Sequence, residues 1–152
     1  MKRQIKGNAQ KYLSFKEAWA RVKSAQEAGF YLEAIAIQES IMSDRITSYL
    51  SYKAMLPRKK RPSFADLVRE WKKDTTVPEG KEFGDLRFAI DDVWRSMRNE
   101  AIHGLVKSEP GMPTMPVEEF IELSRCAARM GEKLAREVQN WHRKQFDMTK
   151  RI

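Results

Sequence analysis

Hydrophobic positions recur along this chain at the three- and four-residue spacing of helix faces, in five blocks. The first carries Phe15, Trp19, Val22 and Ala25. Ser14-x-x-Glu17 before it reads as a capping box, and Gly29 after it reads as a helix end. The second block runs from near Phe30 to about Met55. One stripe holds Leu32, Ile35, Met42, Ile46 and Tyr49, and a neighbouring one holds Ala34, Ile37, Ile41 and Ser48. A helix apolar over so much of its circumference belongs at the centre of a bundle. Glu39 falls inside its first stripe, where a carboxylate needs either a cation or water.

The third block is short. Ser63-x-x-Asp66 caps a helix carrying Phe64, Leu67, Val68 and Trp71. A polar loop from Asp74 to Gly84 follows. Asp85 then caps a fourth helix with Leu86, Ala89, Ile90, Val93 and Met97 on one face. Arg87 with Asp91, and Asp91 with Arg95, are spaced as surface ion pairs along it. Gly104 suits a left-handed helix end. Pro116 opens the last helix, with Glu118 and Glu119 placed well for its dipole. Phe120, Leu123, Ala127, Met130, Leu134, Val138 and Trp141 carry that helix to about Phe146. No period-two stretch competes, and no Asn-Gly or Asp-Gly hairpin is present. The expected fold is all-α, a five-helix up-down bundle in one domain over 1–152. Residues 1–13 read as a basic, loosely held arm, and 147–152 as a frayed tail.

Composition narrows the partners. Of 152 residues, 41% are hydrophobic and 33% charged, the balance of a folded, well-solvated chain. The net charge is +8, which favours polyanionic partners such as RNA. A single cysteine, Cys126, excludes an internal disulfide and fits a reducing compartment. Its helical surroundings suggest a packed small side chain. The basic start has no apolar run behind it, and no stretch approaches a membrane span, so a cytoplasmic protein without a membrane partner is expected. Two histidines, His103 and His142, are too few for a histidine metal site, and no phosphate loop or zinc-type spacing occurs. No metal or cofactor is expected.

The candidate chemistry sits where the fourth helix runs out, in Arg98-Asn99-Glu100-Ala101-Ile102-His103-Gly104. An Arg in the last turn and a His at the end would be free of strict helical spacing. Arg136 and His142 form a second, looser pair, but in a continuous helix they stand about 240° apart, which marks them as a chance match. The first stretch, Arg-x4-His with Asn directly after the Arg, resembles the signature of the HEPN superfamily (higher eukaryotes and prokaryotes nucleotide-binding domains). The fourth-of-five position behind a long central helix is similar to the HEPN layout. One departure is Leu105, where HEPN toxins paired with a nucleotidyltransferase antitoxin commonly carry Tyr.

The resemblance implies a metal-independent endoribonuclease, acting as a toxin or defence effector against phage, with an antitoxin protein as a candidate partner. The residue types suit that chemistry. Attack of the RNA 2′-hydroxyl on its own phosphate needs a base, an acid and fixed positive charge. Histidine titrates near neutrality, and the Arg fork matches phosphate oxygens. Arg98 and His103 are the expected catalytic pair, with Asn99 holding His103 or a phosphate oxygen and Glu39 supporting Arg98. Arg58, Lys59, Lys60 and Arg61, in a proline-bounded loop, and Arg95 are the expected RNA contacts. One His cannot perform both proton transfers, so a homodimer with a composite site is expected. The rival is a catalytically silent basic helical module that binds nucleic acid or a protein. There Arg98 merely complements a helix dipole, and His103 with Gly104 forms an ordinary cap.

Overall fold

The computed structural model describes residues 2–149, with side chains described for 9–147. Its helices are α1 (Lys2–Ala28), α2 (Tyr31–Tyr52), α3 (Phe64–Lys72), α4 (86–103) and α5 (Val117–Thr149). Within α4, Leu86–Phe88 and Arg95–His103 are α-helical and Ala89–Trp94 is a π-helical turn. The chain is an all-α helical bundle. The loop before α4 adds one short antiparallel pair, β1 (Glu79–Gly80) and β2 (Gly84–Asp85). The sequence carries no alternation there, because two residues are too few to show one.

α2 is the central helix, packed by α1, α3, α4 and α5. Ala34, Ile35, Met42, Ile46 and Leu50 are almost wholly buried on it. α1 runs against α5: Trp19 Nε1 donates to Gln139 at 2.8 Å and Gln26 to Glu132 at 2.8 Å. α3 runs against α4, with Phe64 edge-on to Trp94 and Lys72 bonded to Asp91 at 2.5 Å. Ser63 and Asp66 form the expected capping box. The Ser63 backbone N–H and hydroxyl, with Lys59 beside them, hold the Asp66 carboxyl down at about 2.

Several expectations are corrected. The basic arm is helical from Lys2 onward, so Ser14 lies inside α1 and caps nothing. The helix runs through Gly7 and Asn8, both poor helix formers, because no proline interrupts it and propagation adds a hydrogen bond for each residue fixed. Lys11, 2.8 Å from Asp44, ties this extension to α2. At the other end, 147–149 continue α5, and 150–152 lie outside the described residues. Gly104 is right-handed, with φ −78°. Its missing side chain serves a close approach instead: a Cβ there would stand 2.6 Å from the Glu100 carbonyl oxygen.

Arg87 does not pair with Asp91. It is buried and caps the end of α3, donating to the carbonyls of Trp71 (3.1 Å), Lys72 (3.4 Å) and Asp74 (2.8 Å) and to the Asp85 carboxylate (2.8 Å). Asp91 with Arg95 pairs as expected. Val93 is exposed rather than on the apolar face. The π turn explains this. Leu86, Ile90 and Trp94 all face the core, four residues apart, and a regular helix drifts by about 40° over each such step. A wider turn absorbs the drift and turns Val93 outward. Cys126 is also exposed, its thiol donating to Glu122 at 3.5 Å.

Candidate functional site

α4 ends in two turns that carry Arg98, Asn99 and His103, and Trp94 fixes where those turns sit. Its indole donates to the Ala127 carbonyl at 2.9 Å. Gly131 makes room for it: a Cβ there would meet Gln38 Oε1 at 2.0 Å and Trp94 Nε1 at 2.8 Å. Gln38, fully buried, donates to the Ala128 carbonyl at 2.7 Å. So α2, α4 and α5 approach closely around a small polar knot, one residue before Glu39 and one turn before Arg98.

From that anchor Arg98 reaches α2. Its Nη2 bonds Glu39 Oε2 at 2.5 Å and its Nη1 donates to Asn99 Oδ1 at 2.8 Å. The two charged side chains are 21% and 20% exposed, so the pair is mostly shielded yet reachable from solvent. This answers what Glu39 does inside an apolar stripe: it holds the Arg98 guanidinium across the α2–α4 contact.

His103 does not join Arg98. It is the last residue of α4 rather than a residue beyond it, so helical spacing still applies. Five residues along a helix set the two side chains about 140° apart. His103 is exposed in a shallow groove of about 400 Å³, lined also by Asn99, Glu100, Gly104, Lys107 and Met115. Asn99, four residues earlier, is the link. It bonds Arg98 and shares the His103 groove. Lys107 and Glu100 were not singled out from the sequence. Glu100 lies within the motif itself, and Lys107 follows His103 by one helical-turn spacing, the only signal either residue gave.

The expected RNA contacts divide. Arg58, Lys60 and Arg61 are exposed and make no ion pair among the described residues. Lys59 is paired with Asp66 at 3.2 Å, and Arg95 with Asp91. The loop leads into Phe64, which packs on Trp94 one turn before Arg98. It therefore enters the bundle beside α4.

His142, the other histidine, is structural. It is buried, with Nε2 3.0 Å from Ser48 Oγ. Burial, and then the nearby Arg45 charge, push its pKa down to about 4. Among the described residues no group of three or more His, Cys, Asp or Glu side chains is arranged to hold a metal ion. No helix among the described residues is long and apolar enough to cross a membrane. Comparison with protein-family models, with curated proteins and with solved structures finds no match for this chain.

Proposed function

We propose that the chain is a metal-independent endoribonuclease of HEPN type, acting on RNA as a toxin or defence effector in the cytoplasm. The observation that carries the reading is the Arg98 guanidinium held between Glu39 and Asn99, with His103 on the end of the same helix. An Arg braced by a carboxylate and an amide is oriented before any phosphate arrives, which lowers the cost of binding one. His103, exposed in its groove, can take the proton from a 2′-hydroxyl or deliver one to the leaving 5′-oxygen.

The angle between Arg98 and His103 sharpens the homodimer expectation. A single copy directs the two side chains to different faces. A two-fold contact along α4, through Asn99 and His103, would give one cleft the Arg of each copy and a histidine for each proton transfer. Arg58, Lys60 and Arg61 supply long-range attraction for the RNA backbone. An antitoxin partner remains part of this reading by analogy of class.

The test is a cleavage assay on bulk tRNA and mRNA in excess EDTA, comparing wild type with Arg98→Ala and His103→Ala. Wild type alone should cut, leaving cyclic phosphate and 5′-hydroxyl ends, and each variant should lose at least about a hundredfold in rate. Cleavage by a strictly monomeric protein would remove the composite site from the proposal.

A second reading has its own observation. Both Nη groups of Arg98 are engaged within the chain, one by Glu39 and one by Asn99. A catalytically silent module that binds nucleic acid or a protein partner would use Arg98 as a structural strut. It predicts no cleavage by any of the three proteins and equal RNA binding by all of them.

A further inference from the structure

At the end of the bundle where α1 turns into α2, α4 stops and α5 begins, large apolar side chains stand in solvent. Phe30 is 64% exposed, Leu105 45%, Val106 84%, Val117 57% and Ile121 48%. Phe30, Leu105 and Ile121, with Phe120 from α5, wall a cavity of about 330 Å³. Isolated exposed apolar residues are ordinary. A group gathered from three elements around one concavity marks a binding surface.

The rim has a sign opposite to that of the whole molecule. Segments 27–33 and 117–121, which flank the cavity, contain four glutamates and no lysine or arginine, in a chain of net charge +8. All four are exposed. Glu33 stands in the cavity wall itself. Glu118 and Glu119 occupy the first turn of α5, beside Val117. An acidic rim repels nucleic acid, and a two-fold copy would set this rim against itself. Both are costly juxtapositions. A basic polypeptide meets neither obstacle. The geometry is that of an apolar groove with charged shoulders, the kind that takes an amphipathic helix by anchors on one face.

We infer that this end of the bundle docks a basic amphipathic segment of another polypeptide. Its apolar anchors enter the Phe30–Leu105–Ile121 cavity, and its Lys or Arg side chains rest on the glutamate rim. The inference goes beyond the nuclease reading and does not depend on it. The α4 residues Arg98 and Asn99 take no part in this surface.

The experiment titrates the full-length protein into a fluorescent peptide of Leu and Lys in amphipathic helical pattern and follows anisotropy. A Leu/Glu peptide of the same pattern is the charge control. The Leu/Lys peptide should bind and the Leu/Glu peptide should not. Ile121→Asp should weaken binding at least about tenfold. Glu118→Lys with Glu119→Lys should weaken it and flatten its salt dependence, while Glu79→Lys in the distant β1 should leave it unchanged. The double Glu variant keeps the test informative if Ile121→Asp does not fold, which circular dichroism checks.

Equal binding of both peptides, or binding indifferent to Ile121→Asp in a folded protein, overturns the inference. So does sedimentation showing that Ile121→Asp breaks a homodimer, which would make a second copy the occupant. So does an Ile121→Asp protein that loses tRNA while keeping the peptide. RNA cleavage is read separately, so failure here and failure of the nuclease reading are distinguishable.

Discussion

His142 and His103 are the same side chain in opposite surroundings. His142 lies between α2 and α5 beside Ser48 and Phe146, and burial with the Arg45 charge disfavours its protonated form. Its pKa in the fold, about 4, lies below the usual 6.5. The unfolded chain therefore binds the extra proton first. The stability His142 contributes is present in full above about pH 6.5 and is lost as pH falls towards 4. Urea unfolding from pH 7.5 to 4 should show that decline, up to about 3 kcal/mol, and His142→Gln should flatten it. An equally steep decline in the variant would mean that carboxylates, not His142, carry it. His103, by contrast, stands exposed at a helix end. Spacing alone read Arg136 with His142 as a chance pair. It did not show that His142 is buried.

Among elements, the contact of α4 with α2 and α5 decides most. A glycine inside a long helix costs about 1 kcal/mol against alanine, so Gly131 needs a reason. The reason is the close approach of Gln38 and Trp94. Gly131→Ala would gain helix propensity but force a Cβ to within 2.0 Å of Gln38 Oε1 as the side chains stand. Overpacking should win, and the variant should lose about 1–3 kcal/mol in chemical denaturation. Stabilisation by this substitution would show that Gln38 can swing aside. Because the knot sits one residue from Glu39, the same variant should also loosen Arg98. The π turn belongs to this scale too. Nothing in the stretch Ala89 to Trp94 announced it, since both a regular and a widened helix carry apolar residues at three and four. The wider turn keeps Leu86, Ile90 and Trp94 together on the core side and sets the rotation of everything after it.

Across the whole molecule, two surface regions differ in charge. The proline-bounded loop with Arg58, Lys60 and Arg61 is basic, and the end with Phe30, Leu105 and Ile121 is acidic-rimmed and apolar. If the loop meets the RNA backbone, Lys60→Glu with Arg61→Glu should weaken tRNA binding. The slope of log affinity against log salt should fall by about two. An unchanged slope would move the RNA contact elsewhere. The net charge of +8 pointed to a polyanion but gave no sign of the glutamates beside the Phe30–Leu105–Ile121 cavity.

The sequence by itself determined the helices, because periodicity, caps and breakers act within a few residues. The Ser63 cap, the Asp85 cap, the central place of α2 and the stretch bearing Arg98 and His103 were all legible for that reason. It also supplied Glu39 as a partner for Arg98, since a carboxylate in an apolar stripe must be answered. Tertiary structure decided what depends on which helices touch. It buried Arg87 against the carbonyls of α3 instead of pairing it along α4. It continued α1 through the basic arm, past Gly7 and Asn8. It separated Arg98 from His103 by keeping His103 within the helix, and it gathered Phe30, Leu105 and Ile121, distant in the chain, around one cavity. Those outcomes rest on contacts between residues tens of positions apart, and local spacing carries no information about them.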